Sequence, residues 1–188
     1  LTPETCSVLK SVIMFCIVVL GGTMSSCDTV RFPFLTEVTR LMKDTIRAHI
    51  PLLGICLGGQ LLAEVGGGKV LHKNSGEHGL HEILLTKEGL RDSLLAGLPE
   101  RFAVFQWHED SFIPPENAIV LASSAPCPYQ AFRLGTLAYG VQFHPEVSDS
   151  IVAQWSAGDP SAAAYRQAFS LHRQSGRDGA SSMLLRNF

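Results

Sequence analysis

PLLGICLGGQLLA, residues 51–63, joins an apolar run to a helix-prone run through a Gly-x-Cys-x-Gly core. This order is typical of a nucleophile elbow, the sharp strand-to-helix turn that lifts one reactive side chain above a sheet. The glycines on either side of Cys56 fit such a turn, because it leaves no room for a Cβ atom. The positive end of the helix dipole favours the thiolate form of a cysteine placed there. The stretch therefore predicts a strand at Leu52–Ile55, a helix at Leu57–Val65 and a nucleophile between them.

The segments around this turn predict an α/β fold. Residues 12–20 form an apolar run, rich in Val and Ile and followed by two glycines, which is typical of a buried parallel strand. Residues 34–49 carry apolar side chains at helical spacing and end before Pro51, so they predict an amphipathic helix. The order strand, helix, strand, helix favours a doubly wound, mostly parallel sheet with helices on both faces.

The rest of the chain has a different pattern. Short apolar segments between turn residues predict six more strands, some of them in a small antiparallel edge or side sheet. These segments are residues 69–72, 81–86, 102–107, 118–123, 130–133 and 137–143. Residues 148–155 and 162–172 favour helices, whereas residues 173–188 carry little pattern and are expected to form a loose tail. Because no repeat or linker stands out, residues 1–188 are predicted to form a single domain.

Composition and charge exclude several classes of protein. A chain of 188 residues, 46% of them hydrophobic, suffices for a globular domain with a core. The net charge of −2 gives no reason to expect a nucleic acid or an anionic membrane as partner. Five cysteines without a Cys-x-x-Cys pair indicate neither a disulfide framework nor a zinc site, so a cytoplasmic location fits best. The apolar residues 12–20 are too few to span a bilayer.

A second motif, His144-Pro145-Glu146, follows the apolar segment 137–143. A strand there delivers His144 to the carboxyl edge of the sheet, where open α/β sheets bind ligands. Residues two apart on extended backbone share a side, so Glu146 is expected to orient the imidazole. An imidazole beside a thiol accepts its proton and later protonates the leaving group. Cys56, His144 and Glu146 thus predict a nucleophile, a base and an orienting carboxylate.

Acyl transfer also needs hydrogen-bond donors for the developing oxyanion. The residue after an elbow nucleophile commonly supplies one backbone N–H, here that of Leu57. A second donor is expected from Gly21-Gly22-Thr23, the loop after the first strand at the same sheet edge.

These residues also have simpler interpretations. Cys56 on its own would be a buried core thiol, and Glu146 a solvated acid. His108 and Asp110 resemble a second catalytic pair, but they are expected to form pocket wall or structural hydrogen bonds. Three nearby histidines fit no standard zinc spacing, so solvated or capping roles are expected for them and no metal is predicted. These are His72, His78 and His81.

The motifs together resemble the class I glutamine amidotransferases. They are the Gly-Gly pair after a strand, the Gly-Ile-Cys-Leu-Gly-Gly-Gln elbow and His-Pro-Glu, in the family's order over about residues 17–147. The phrase FQWHED, residues 105–110, is similar to the stand-alone branch that resembles the amidotransferase domain of GMP synthase. The resemblance implies a flavodoxin-like α/β fold.

The resemblance also implies a glutaminase without a cofactor. The Cys56 thiolate would attack the side-chain amide of L-glutamine, ammonia would leave, and water would release glutamate from the thioester. Gln60 would lie against the glutamine, and the backbone of Gly22 and Leu57 would form the oxyanion hole. The residues that would line the substrate pocket are Trp107, His108 and Glu109. The ammonia would pass to a partner synthetase, since the chain has no phosphate-binding Gly-rich Lys loop.

The sequence departs from the family's pattern at several positions. Thr23 stands where the family often has Pro, Glu109 where many members have Gly, and Gly79-Leu80 where relatives often have Gly-Trp. Family members usually carry a complete strand and helix before the strand that ends in Gly-Gly. Here only residues 1–11 precede that strand, too few for the unit, so two alternatives are expected: a sheet that lacks this unit, or a chain that is cut before it.

Two other functions stay open at this point. The same three side chains would serve a γ-glutamyl peptidase or hydrolase that prefers larger γ-glutamyl compounds. A truncated domain would instead serve as a regulatory module without catalysis.

Overall fold

Two β-sheets organise the fold. The computed structural model describes residues 15–158 and 162–188. The strands are β1 Ile17–Val19, β2 Leu52–Ile55, β3 Lys69–Leu71, β4 Glu77–Leu85, β5 Arg101–His108, β6 Ser111–Ile113, β7 Ile119–Ser123, β8 Ala131–Leu134 and β9 Ala138–Val141. In this part of the chain, the larger sheet has the order β1-β2-β9-β8-β7-β4-β5, and β3 pairs with β6.

Helices lie along the larger sheet. They are α1 Phe34–Arg47, α2 Leu57–Val65, α3 Asp149–Trp155, α4 Ala163–Gln174 and α5 Gly179–Asn187. Two short 3₁₀ helices, Gly89–Arg91 and Ser93–Leu95, follow β4. None of the helices that the described residues form is long and apolar enough to cross a membrane.

One end of the larger sheet is parallel. β1 pairs with β2 and β2 with β9, both in parallel. All four residues of β2 are buried, as expected for a strand covered on both faces. β1 lies within the apolar run predicted as the first strand, and residues 12–14 lie outside the described residues. The predicted burial is wrong for the described part of this strand: β1 lies at the edge of the described sheet, and Val18 is 44% exposed. The carboxyl ends of these three strands meet at one edge, and each is followed by one of the predicted motifs.

The other end is antiparallel. Each strand pairs antiparallel with the next in the order β9, β8, β7, β4 and β5. The small antiparallel side sheet that the sequence predicts is formed by β3 and β6. Only a few residues connect β7 to β8 and β8 to β9, and a parallel crossover needs a dozen or more. The short connections therefore make the sheet mixed, and the α/β fold class is confirmed.

The alternating side chains of β2 join two separate cores. Leu52 packs with Leu35 of α1 and Leu62 of α2 on one face. Leu53 packs with Phe143 and with Leu184 of α5 on the other. Since successive strand residues point to opposite faces, one short strand fixes helices on both sides of the site edge.

The expectation of a loose tail at residues 173–188 is wrong. α4 continues to Gln174, and α5 buries Leu184 completely in the second of these cores. The Asn187 side-chain amide also donates to the carbonyls of Leu94 and Ala96 at 3.0 and 2.9 Å. Ala180, Met183 and Leu184 share one face of α5, and this face packs against the core beneath the sheet.

Candidate active site

Cys56 lies at the turn between β2 and α2 with a φ of 51° and a ψ of −109°. Positive φ is uncommon for a residue with a side chain, and such strained backbone clusters at functional sites. Two hydrogen bonds hold the turn: the Cys56 N–H donates to the Val141 carbonyl at 2.8 Å, and the Cys56 carbonyl accepts from the Gln60 N–H at 2.9 Å. The strand-to-helix turn expected from the sequence is present.

Close backbone contacts require the glycines of this turn. A Cβ atom on Gly58 would lie 2.1 Å from the carbonyl oxygen of Val19, and one on Gly54 would lie 2.4 Å from that of Gly58. Both distances are far shorter than a Cβ atom tolerates. The first turn of α2 is thus pressed against the ends of β1 and β2, which fixes the Cys56 thiol at the sheet edge.

His144 follows β9 at the same edge and is 3% exposed. The backbone N–H of His144 donates to the Phe105 carbonyl at 2.9 Å, and the ring Nδ1 lies 2.8 Å from Oε1 of Glu146. Pro145 and Glu146 form a turn rather than the expected extended backbone, yet the expected contact between carboxylate and imidazole is made. Nε2 of His144 is buried without a hydrogen-bond partner among the described residues, so it is free to serve the reaction.

The surroundings of His144 favour its protonated form. Burial lowers the pKa of His144, but the Cys56 sulfur and the Glu146 carboxylate outweigh burial and raise that pKa to about 9. The imidazole is therefore a cation at neutral pH, and it can donate a proton to a leaving group.

The loop after β1 lies against both side chains. A Cβ atom on Gly21 would lie 3.0 Å from Cε1 of His144 and 3.3 Å from Cβ of Cys56. The thiol and the imidazole thus approach one point above Gly21. The side-chain amide of Gln142 approaches the Cys56 sulfur as well, with Nε2 3.6 Å from Sγ.

A cavity of about 580 Å³ opens at this point. Cys56 and His144 both line it, whereas Glu146 is not among its lining residues and contacts His144. The cavity brings together every residue that the sequence assigns to the oxyanion hole and the substrate pocket. These are Gly22, Leu57, Gln60, Trp107, His108 and Glu109.

The residues that line this cavity fall within the match to one protein-family model, except for Trp155. The model of the family "Glutamine amidotransferase class-I" matches residues 14–152, which include the elbow and the His-Pro-Glu motif. The chain belongs to the class I glutamine amidotransferases.

The names of similar proteins agree with this family membership. One of the subunits of GMP synthase (glutamine-hydrolyzing) from Pyrococcus abyssi is 41% identical over 112 residues, 58% of this chain and 57% of that protein. GMP synthase (glutamine-hydrolyzing) from Porphyromonas gingivalis is 36% identical over 150 residues, 79% of this chain and 27% of that protein. The crystal structure of a glutamine amidotransferase from Thermotoga maritima has a TM-score of 0.77 and 29% identity, covering 89% of this chain and 76% of that chain. The matches span less than two thirds of the length of both GMP synthase relatives.

His108 of the amidotransferase belongs to the pocket wall. Its Nε2 lies 3.2 Å from Oε2 of the buried Glu77, and its Nδ1 lies 3.0 Å from the carbonyl oxygen of Asp110. Glu77 also accepts from the Ser124 hydroxyl at 2.8 Å and from the Gln130 side-chain amide. The structural role expected for His108 fits these contacts, because both ring nitrogens face acceptors of the pocket wall.

Asp110 joins three loops at the cavity mouth. Its carboxylate accepts from the Ser25 hydroxyl at 2.9 Å and the Lys73 N–H at 3.0 Å, and it lies 2.9 Å from Nδ1 of His72. Burial raises the pKa of Asp110, but the hydrogen bonds from Lys73, His72 and Ser25 together lower it. The Asp110 carbonyl accepts from the Gln60 side chain at 3.2 Å, so the same residue also orients the pocket floor.

His78 and His81 each lie near a carboxylate. Nε2 of His78 lies 3.6 Å from Oε1 of Glu109, and Nδ1 of His81 lies 3.2 Å from Oε1 of Glu77. Across the described ranges, no group of three or more His, Cys, Asp or Glu residues is arranged to hold a metal ion.

Two residues that contact the predicted catalytic side chains were missed in the sequence. Gln142 stands two positions before His144 in a predicted strand, so its side was recoverable from the alternation of strand residues. Trp155 lies in a predicted helix, and its ring contacts His144 across the cavity wall. No local pattern signals that contact, because it depends on how α3 packs.

Proposed function

We propose that this amidotransferase hydrolyses the side-chain amide of L-glutamine to glutamate and ammonia. The observation that carries the proposal is the strained, buried Cys56 on the wall of one cavity with His144, whose Nε2 has no hydrogen-bond partner among the described residues. Glutamine as the substrate is supported by family membership and by relatives whose names describe them as glutamine-hydrolyzing.

The first half of the reaction uses Cys56 as nucleophile. Its thiolate attacks the side-chain amide carbon of glutamine, and the carbonyl becomes a tetrahedral oxyanion. The N–H of Leu57 is suited to hold that oxyanion, since the first N–H groups of a helix lack intrahelical partners. Gly22 is suited to supply the second donor, because a Cβ atom on it would lie only 3.2 Å from the Leu57 side chain.

His144 then moves protons in both directions. Its imidazolium protonates the amide nitrogen, the C–N bond breaks, and ammonia leaves the γ-glutamyl thioester on Cys56. The neutral imidazole next removes a proton from water, the water oxygen bonds to the thioester carbon, and the C–S bond breaks to give glutamate and the thiolate. Glu146 keeps Nδ1 occupied throughout, so that Nε2 faces the reaction.

The proposed partner is a synthetase that takes up the ammonia. The support is that the Pyrococcus abyssi relative is named as one of the subunits of GMP synthase, rather than as the whole enzyme. The partner synthetase and the cytoplasmic location stay predictions.

The test measures ammonia release from L-glutamine beside the variant Cys56→Ala. The substitution should lower the rate by about 10³-fold or more, because it removes the attacking atom. Cys16→Ala is the matched control, since Cys16 is exposed and does not line the cavity. A glutamine-like electrophile should also label Cys56 in a peptide map, and this readout does not need turnover.

The outcomes separate the alternatives. Preference for larger γ-glutamyl compounds over glutamine would support a γ-glutamyl hydrolase instead. Equal ammonia release by the unmodified chain and Cys56→Ala, together with unlabelled Cys56, would refute both enzymatic functions.

A further inference from the structure

Trp155 contacts the ring of His144 from the wall of the cavity. The two ring centroids lie 4.8 Å apart, and the ring planes meet at 72° in a T-shaped arrangement. Trp155 is 41% exposed, whereas His144 is 3% exposed. The indole therefore lies between the imidazole and solvent on that side.

The helix that carries Trp155 is fixed along its length. At its start, the Ser148 hydroxyl accepts from the Ile151 N–H at 3.4 Å. In its middle, the side chain of Val152 is buried. Just after its end, the Arg166 guanidinium donates to the carbonyl and the hydroxyl of Ser156, both at 3.0 Å. Trp155 thus has a defined place beside the imidazole.

His144 needs a second restraint that leaves Nε2 free. Glu146 holds Nδ1 by one hydrogen bond, and a ring held at one atom can still tilt about that bond. A polar neighbour on the other side would compete for Nε2. An aromatic contact restrains the ring without accepting or donating a proton.

We propose that Trp155 is a positioning residue, whose indole holds the His144 imidazole in the orientation that serves the Cys56 thiol and shields that side of the ring from water. The kinetic consequence rests on the proposed glutaminase function. The contact between the two rings is tested without turnover. Failure of the proposed contact is therefore distinguishable from failure of the proposed glutaminase function.

The first experiment uses the fluorescence of Trp155. The chain has two tryptophans, and Trp107→Phe leaves Trp155 as the single reporter. Because a protonated imidazole quenches a neighbouring indole more strongly than a neutral one, emission should rise with a midpoint near pH 9, the pKa of His144. Cys56 and Glu146 are the titratable groups that face His144, and Glu146→Gln should move the midpoint to lower pH.

The control removes the titrating ring. In Trp107→Phe/His144→Asn, the transition should disappear, while the far-UV circular dichroism stays unchanged. A transition of the same midpoint and size in this double variant would overturn the assigned contact.

The second experiment separates positioning from substrate contact. Trp155→Ala should lower kcat about tenfold with KM changed less than about twofold, since a misplaced base slows chemistry rather than binding. Trp155→Phe should restore most of kcat, because it keeps an aromatic ring. Leu171→Ala, at a residue that is 58% exposed on α4, is the control for loss of a surface apolar side chain. A raised KM with unchanged kcat in Trp155→Ala would overturn the positioning role.

Discussion

Raising the pH from about 6 to about 10 should reduce the stability of this amidotransferase through His144. The folded-state pKa of His144 is about 9, above the ordinary value of 6.5. Below pH 6.5 both states carry the proton, and the stabilising contribution is fully present. Between 6.5 and about 9 the unfolded chain has lost the proton that the folded protein still binds, so stability falls with pH. Above about 9 the contribution is lost.

The expected loss is large for a single side chain. The difference between 6.5 and about 9 corresponds to on the order of 3 kcal/mol, at about 1.36 kcal/mol for each pKa unit. His144 is almost entirely buried, so solvent screening takes little from this value. Domains of this kind are stable by only about 5–15 kcal/mol, so the change should be easily measured.

The assay is urea unfolding, followed by circular dichroism, at several values between about pH 6 and about pH 10. His144→Asn should remove most of the decline in the free energy of unfolding. His49→Asn is the matched control, because His49 is exposed and its φ of 54° is one that Asn adopts readily. An equally steep decline in His144→Asn and in the unmodified protein would refute the reasoning.

Two further predictions concern packing and the cysteines. Gly58→Ala should lower the free energy of unfolding by about 3 kcal/mol, because its Cβ would lie 2.1 Å from the Val19 carbonyl oxygen; Gly179→Ala, where a Cβ meets nothing within 4 Å, should not. Urea unfolding of both variants checks this, and equal stability would contradict it. Burial raises the pKa of Cys127 to about 11, so iodoacetamide should modify Cys127 at least about tenfold more slowly than the exposed Cys27, as followed by mass spectrometry. Similar rates would show that Cys127 is accessible.

Local sterics explain why the elbow was predictable. A side chain cannot fit at Gly54 or Gly58 against neighbouring backbone. The turn is therefore specified by residues only two positions from Cys56. The apolar runs that contain β1, β2 and β9 are equally local, and for β2 and β9 they reflect burial, since buried parallel strands need continuous apolar residues. The motifs at their ends therefore indicated one shared edge.

The tail shows the opposite case. α5 has few apolar residues, and its pattern is weak in isolation. Its helix is stabilised by burying Leu184 against the sheet and by hydrogen bonds from Asn187 to backbone carbonyls. Tertiary packing supplies most of the stability of short helices, so residues 173–188 could not be judged from their own sequence.

The amino-acid order alone determined the strand-turn-helix around Cys56, the strand that leads to His144 and the family to which the chain belongs, because each depends on neighbours in the chain. Only the tertiary structure decided that Trp155 contacts the imidazole, that Gln142 approaches the sulfur and that Asp110 joins three loops at the cavity mouth. These contacts link segments that are distant in the chain, and their geometry is set by how helices and loops pack on the sheet.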